Sequence, residues 1–328
     1  MPIQQLSVSG FPAVSLRGGE IEVVVVPSLG MKLTNLRRAR GREWLWRSDQ
    51  IPLAAPKPGA SYVETADSGG WDECFPTVGP SFVPGNPAAP LLPDHGELWS
   101  AEWESMLLEG GGAPMLSARV AGVRDQYLFQ RDITVDAHDP VVRFRYAVRH
   151  VGTSPFPWIW SSHPLLNVQP GTTLELPTVR QVKVDAVHGR ADFEVDDIVP
   201  WPVTDGTDAA GRFTFPDRSA RWAAKLFADA GPSGRAVLTD PRRGERLEMR
   251  ADPAGIPQVG IWINCGGWAP EGRTPYYNLA LEPCIGAPDR LDRAAEWGLM
   301  QTLEPGEERV WELEVWLLEE GEETPGSS

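Results

Sequence analysis

The chain has 328 residues and a formal net charge of −15. This length accommodates one large β domain or two average domains. The charge argues against nucleic acids and anionic membranes as partners, because both polyanions would repel the chain. The N-terminus lacks a basic segment followed by an apolar run, and no apolar stretch reaches the ~18 residues of a membrane helix. We therefore expect a cytoplasmic protein, a monomer or homodimer, that binds a small molecule.

The cysteines predict no disulfide framework. Cys74, Cys265 and Cys284 contain no CxxC pair and are odd in number. Buried thiols are the favoured interpretation, and a nucleophilic cysteine is the alternative.

Alternating apolar and polar residues predict an almost entirely β protein. Residues 20–26 are β-branched and apolar, and they end at the turn sequence Pro-Ser-Leu-Gly. Residues 142–148 alternate apolar side chains with arginines, and residues 310–318 alternate apolar side chains with glutamates, as half-buried antiparallel strands do. No segment shows helical periodicity over ten residues. Further strands are predicted at 102–108, 116–123, 128–135, 173–176, 223–227, 236–238, 246–250, 260–264 and 277–281.

Many strands separated by Gly/Pro turns indicate a β-sandwich or barrel. We expect residues 1–318 to form one domain and the acidic residues 319–328 to form a disordered tail. Two loops are unusually long, 51–92 and 184–216, and loops of that length are often functional.

Three residues stand out as candidates for proton transfer. His95 and His163 are two of only five histidines, and Glu282 lies in a predicted strand end among apolar neighbours that tend to raise a carboxyl pKa. A loop histidine, a core histidine and a surface glutamate are the corresponding structural alternatives.

Several motifs, in their order along the chain, carry a family resemblance. They are Gly69-Gly70-Trp71-Asp72-Glu73-Cys74-Phe75-Pro76, Asp94-His95-Gly96 with Trp103-Glu104 after it, Ser162-His163-Pro164 and Leu281-Glu282-Pro283. Together they resemble the aldose 1-epimerases (mutarotases), and their layout is nearer the hexose-6-phosphate 1-epimerase branch. The resemblance implies a large antiparallel β supersandwich.

Interconversion of α and β anomers requires a base that takes the C1 hydroxyl proton and an acid that protonates the ring oxygen. A carboxylate suits the first task and an imidazolium the second, and no cofactor or metal is needed. By resemblance, Glu282 is the base, His163 is the acid, and His95 stabilises charge near the ring oxygen.

Other residues are candidates for binding the sugar. Asp72 and Glu73 follow a Gly-Gly that lets the backbone approach a ligand, so they could accept hydrogen bonds from hydroxyls. A solvated acidic loop is the alternative. Trp262 could stack on a sugar face, although core packing is the usual role of a tryptophan.

The sequence also departs from the resemblance. Phosphosugar members carry an arginine before the Gly-Gly and another after the His-Gly, where this chain has Ser68 and the non-basic residues 97–100. We therefore expect an unphosphorylated sugar. The family's hydroxyl-binding aspartate could be Asp217, Asp229 or Asp240. Lys225 is expected to face outward.

The same residues are also compatible with other functions. The chain could be a non-catalytic carbohydrate-binding protein, since fold does not determine function. It could also be a lyase or hydrolase, with Glu282 and either Asp72 or Glu73 as paired carboxylates. A metal site at Asp67, Asp72, Glu73 and His95 ranks last, because their spacing matches no tight ligand motif.

Overall fold

The computed structural model describes residues 3–57, 59–86, 88–110, 113–123, 126–189, 191–203 and 211–324. These residues contain two short helices, α1 (Tyr62–Thr65) and α2 (Leu291–Glu296). Their strands are, in chain order, β1 (Ile3–Val8), β2 (Phe11–Gly18), β3 (Ile21–Val26), β4 (Lys32–Arg38), β5 (Trp71–Cys74), β6 (Glu104–Gly110), β7 (Ala113–Ala121), β8 (Tyr127–Val135), β9 (Val141–His150), β10 (Phe156–Trp158), β11 (Trp160–Leu166), β12 (Thr173–Glu175), β13 (Gln181–Gly189), β14 (Ile198–Pro200), β15 (Phe213–Thr214), β16 (Trp222–Asp229), β17 (Arg235–Asp240), β18 (Glu245–Ala251), β19 (Gln258–Cys265), β20 (Tyr277–Ile285), β21 (Gln301–Leu303) and β22 (Glu308–Glu319).

Two large antiparallel sheets dominate the fold, which confirms the predicted β supersandwich. The first sheet has the strand order β1-β2-β3-β4-β5-β11-β20-β19-β16-β13-β14. The second has the order β15-β12-β17-β18-β22-β9-β8-β7-β6, and β10 pairs with β21 in a separate ribbon. Strands distant in the chain are therefore neighbours at the centre of the first sheet, where β5, β11 and β20 meet.

The main core consists of apolar side chains from both sheets. On β9, Phe144 and Tyr146 are buried while Arg145 between them is exposed, as the predicted alternation requires. Leu279 and Leu281 of β20 belong to the same apolar cluster. Burial of each large apolar side chain stabilises the fold by about 1.5–3 kcal/mol relative to exposure.

Every predicted strand is present, but the two long loops are not structureless. The interval 51–92 contains α1 and β5, and the interval 184–216 contains most of β13 with β14 and β15. Residues 190 and 204–210 of the second interval, and residues 58 and 87 of the first, lie outside the described ranges. β5, β14 and β15 have four residues or fewer, too few for alternation to reveal them, whereas β13 alternates apolar and polar residues and was missed.

The C-terminal region continues beyond the predicted domain boundary at residue 318. Glu319 ends β22, and the Thr324 side chain is buried, with its hydroxyl 3.2 Å from a Glu248 carboxylate oxygen. Residues 325–328 of the predicted tail lie outside the described part of the chain.

Two smaller expectations concern cysteines and membranes. All three cysteines are buried, as predicted, and their thiols are free. Among the helices of the described residues, none is long and apolar enough to cross a membrane.

Candidate functional site

Cross-strand register at the centre of the first sheet brings His163 and Glu282 together. On β11 and β20, Ser161 lies opposite Cys284 and Leu165 opposite Ala280, which places His163 opposite Glu282. Directly opposed residues point to the same face of a sheet, with Cβ atoms about 4.5–5.5 Å apart. The two residues are 119 positions apart in the sequence, so only the strand order makes them neighbours.

This face forms the floor of a pocket with about 760 Å³ of open volume. His95, His163, Glu282 and Trp262 all line it, so four of the six predicted site residues meet there. The other lining residues are Tyr62, Val63, Asp67, Val78, Leu165, Ala186, His188, Lys225, Trp268, Tyr276, Asn278 and Asp289.

Glu282 is fully buried, and its carboxylate is held on both oxygens. Lys225 Nζ lies 2.7 Å from each oxygen, and the Ser161 hydroxyl donates to Oε2 at 3.1 Å. The same ammonium lies 3.2 Å from Asp289 Oδ1. Glu282 is therefore a rigidly positioned carboxylate at one end of the pocket.

Lys225 is expected from the sequence to face outward, but it is only 5% exposed and lines the pocket. Its cross-strand neighbours, Ala186 of β13 and Trp262 of β19, also line the pocket, so Lys225 lies on the face of the first sheet that forms it.

The side chain of the preceding residue, Asp94, holds the His95 ring in place. His95 Nδ1 lies 2.8 Å from Asp94 Oδ1, and the His95 ring stacks on Tyr62 with centroids 4.0 Å apart. Asp94 in turn accepts from the Ser61 hydroxyl at 3.0 Å and from the Val63 N–H at 3.2 Å, at the beginning of α1. This carboxylate fixes the ring orientation and stabilises a proton on the imidazole.

The surroundings separate the pKa values of the two histidines, whose ring centroids are 4.8 Å apart. Burial disfavours the charged form of His95, but the hydrogen bond and charge of Asp94 outweigh it and raise the pKa of His95. Burial, with the positive charges of His95, Lys225 and Lys32, lowers the pKa of His163 well below its ordinary value. Within the described structure, His163 Nδ1 has no hydrogen-bond partner. The imidazolium expected at His163 is thus favoured at His95 instead, because Asp94 hydrogen-bonds the His95 ring.

Asp94→Asn is expected to lower the pKa of His95 by about 1–3 pH units, because the substitution removes the adjacent negative charge. The measurement is an NMR titration of the histidine ring protons. The half-exposed His188, on the other side of the pocket, provides the control and should titrate unchanged. A His95 titration that does not move would show that Asp94 does not stabilise its charge.

Asp72 and Glu73 do not form a pair of sugar ligands, because consecutive residues of β5 point to opposite faces of the sheet. Glu73 points into the core, away from the pocket. It forms an ion pair with Arg131 at 2.9 Å and accepts from Trp160 Nε1 at 2.9 Å and from Tyr146 Oη at 3.1 Å. The geometry therefore gives Glu73 a structural role, and its expected contact with sugar is not supported.

Asp72 lies opposite His163 in the register but behind the pocket wall. It forms an ion pair with Lys32 and accepts from Tyr62 Oη at 2.6 Å. Since Tyr62 stacks on His95, Asp72 supports the pocket through Tyr62 and does not line it.

None of the three candidate aspartates lines the pocket. Asp217 caps a short 3-10 turn, Asp229 ends β16 at the surface, and Asp240 is buried against Arg42 at 2.6 Å. The aspartates that line the pocket are Asp67 and Asp289, on loops before β5 and after β20. No local pattern distinguishes them from other loop aspartates, although Asp67 lies two residues before the Gly-Gly.

Aromatic side chains also line the pocket, and Trp262 lies directly opposite Lys225 in the register of β16 and β19. Trp262 meets Trp268 at 88° with centroids 5.5 Å apart, and Trp268 meets Tyr276 at 77° and 6.1 Å. These rings offer apolar faces of the kind on which sugar rings stack. Across the described residues, no group of three or more His, Cys, Asp or Glu side chains is arranged to hold a metal ion.

Structural comparison identifies the fold. The chain aligns with the Slr1438 protein from Synechocystis sp. PCC 6803 at TM-score 0.67 and 15% identity, over 97% of this chain and 96% of that one. It aligns with a galactose mutarotase related enzyme from Lactobacillus acidophilus at 0.65 and 14%, over 95% and 99%. A galactose mutarotase-like protein from Lactobacillus casei ATCC 334 gives 0.61 and 15%, over 93% and 100%. No protein-family model and no curated protein sequence matches significantly. The chain has the galactose mutarotase-like fold.

Proposed function

We propose that this chain, with its galactose mutarotase-like fold, is an aldose 1-epimerase that interconverts the α and β anomers of an unphosphorylated sugar. The observation that carries the proposal is the meeting of Glu282, His163 and His95 on one pocket. A buried carboxylate and two adjacent imidazoles, one favouring its charged form, supply the base and acid that ring opening requires.

In the proposed reaction, Glu282 takes the proton of the C1 hydroxyl as the bond from C1 to the ring oxygen breaks. The histidine pair protonates the ring oxygen, with His95 as the member that holds the proton and His163 as its neighbour at the floor of the pocket. Rotation about the C1–C2 bond exposes the other face of the aldehyde. The reverse proton transfers then close the ring as the other anomer.

The charges and free acceptors of the pocket favour a neutral substrate. Lys225 and His95 are each already paired with carboxylates, and the described lining contains no arginine to bind a phosphate. Apart from Asp289 Oδ1, which lies beside the Lys225 ammonium, the buried carboxylate and amide oxygens of the described lining that have no hydrogen-bond partner are Asp67 Oδ1 and Asn278 Oδ1. Buried acceptors are normally satisfied, so we assign them to sugar hydroxyls.

The test is the rate of optical-rotation change of freshly dissolved α-glucose and α-galactose, with and without protein. Acceleration that is lost in Glu282→Gln supports the proposal. Failure to accelerate either sugar, followed by failure across a broader panel of aldoses, overturns it.

One observation favours a second candidate, a carbohydrate-binding protein without catalysis. Lys225 contacts both oxygens of Glu282, and such an ion pair opposes proton uptake by the carboxylate. Sugar binding without acceleration of anomer exchange would identify this function.

Asp67→Asn is expected to raise the KM for the preferred sugar about tenfold, because the loss of one hydrogen bond to a charged group weakens binding by about that factor. The effect should disappear with the deoxysugar that lacks the hydroxyl bound by Asp67, because both changes remove the same interaction. The measurement is KM across a deoxysugar series, with the exposed Asp217→Asn as the control. An equal loss with every deoxysugar would contradict this assignment.

A further inference from the structure

Lys225 connects two carboxylates at the acid/base end of the pocket. Its ammonium has three N–H donors. It lies 2.7 Å from both oxygens of Glu282 and 3.2 Å from Asp289 Oδ1. The three groups come from β16, β20 and the loop after β20, and two carboxylates therefore share one cation.

A cation beside a carboxylate makes that carboxylate a weaker base. The cation lowers the carboxyl pKa by about 1–3 units, so the carboxylate binds a proton less tightly. If Glu282 and Lys225 were alone, proton uptake by Glu282 would leave a buried ammonium without a partner, which is strongly unfavourable. A compensating negative charge has to remain beside Lys225 when Glu282 is protonated.

We infer that Asp289 supplies this charge and so acts through Glu282 as a positioning residue for the reaction. The inference rests on the proposed function. Before proton uptake the cluster holds two carboxylates and one ammonium; afterwards Lys225 and Asp289 remain as a neutral pair. Proton uptake therefore takes the cluster from one net negative charge to zero, and Lys225 keeps a carboxylate partner in both states.

The position of Asp289 is fixed by its own backbone. Its carbonyl accepts from the Val78 N–H at 2.9 Å and the Gly79 N–H at 2.8 Å. The nearby Asp185 carboxylate pairs with Arg293 at 2.8 Å, and the same guanidinium also pairs with the exposed Asp196 at 2.6 Å. The other titratable groups around the cluster are His95 with Asp94, the neutral His163, and the thiols of Cys74 and Cys284.

The test is the pH profile of kcat in Asp289→Asn. Loss of the negative charge should strengthen the hold of Lys225 on the ionised base, move the low-pH limb of the profile to lower pH, and reduce the plateau about tenfold, within the ~100-fold to 10,000-fold supplied by general acid–base catalysis. Removing the cation as well, in Asp289→Asn/Lys225→Met, should return the limb to higher pH and recover rate. A merely structural role for Asp289 would not produce this recovery.

Controls separate this inference from the proposed function. Glu296→Gln removes a nearby exposed carboxylate and should leave the profile unchanged, and thermal melting establishes that each variant is folded. If Glu282→Gln abolishes activity but Asp289→Asn keeps the wild-type profile, or the double variant shows no recovery, the role of Asp289 is overturned and the proposed function stands. If Glu282→Gln retains activity, both fail.

Discussion

Glu282→Gln is expected to lower the rate of anomerisation by about 100-fold or more, the range that general acid–base catalysis supplies. Glutamine keeps the size of the side chain and can still contact Lys225 and Ser161, but its amide does not take up the C1 hydroxyl proton. Polarimetry measures the rate, and calorimetric titration measures sugar binding. We expect the rate to fall while sugar binding persists, because the aromatic side chains that line the pocket are unchanged.

Asp229→Asn is the matched control, because this exposed carboxylate lies on β16 but not in the pocket. It should keep the full rate. His163→Ala should lose activity as Glu282→Gln does; an unaffected rate would identify His163 as a core histidine. A near-full rate in Glu282→Gln would show that Glu282 is not the base.

Arg131→Met is expected to destabilise the folded protein by about 3–5 kcal/mol, because it leaves Glu73 as an uncompensated buried charge. Both side chains of this ion pair are 0% exposed. Burial also raises the pKa of Glu73 to about 7 against the effect of Arg131. Without Arg131, protonation of Glu73 relieves part of the cost, so the destabilisation should be smaller at pH 5 than at pH 8. Denaturant unfolding at the two pH values measures it.

The exposed ion pair between Arg119 and Glu104 provides the comparison. Arg119→Met should change the free energy of unfolding by only about 0–1 kcal/mol, because water screens exposed pairs. Replacing both buried partners, in Arg131→Met/Glu73→Gln, should recover much of the lost stability. Equal effects of the buried and exposed single substitutions would contradict the role assigned to the buried pair.

The fold class and several site residues could be predicted from local patterns. Strand alternation is a property of adjacent residues, so β9 and β22 are visible in the sequence without knowledge of their partners. His95, His163 and Glu282 could be selected because two of the five histidines and a late glutamate stand in motifs whose order resembles that of a known family. The structure places all three on one pocket.

The pairing of charges could not be predicted in the same way. Asp72 and Glu73 were grouped as sugar ligands because they are adjacent in the sequence. Adjacent residues of β5 point to opposite faces of the sheet, so Glu73 lies in the core, and Asp72 contacts Tyr62 without lining the pocket. Lys225 was expected to face solvent, since a lysine in a strand usually does; the register of β16 instead places it on the pocket face, opposite Trp262 of β19.

By itself, the sequence indicated twelve of the 22 strands of the described residues and the residue types available for acid/base chemistry, because strand alternation and side-chain chemistry are local properties. Tertiary structure alone decided which charges meet. The contact of Lys225 with Glu282 and Asp289, and that of Arg131 with Glu73, depend on strand order and on the face to which each side chain points. Electrostatic energies depend on distance in space and on burial, and separation along the chain specifies neither.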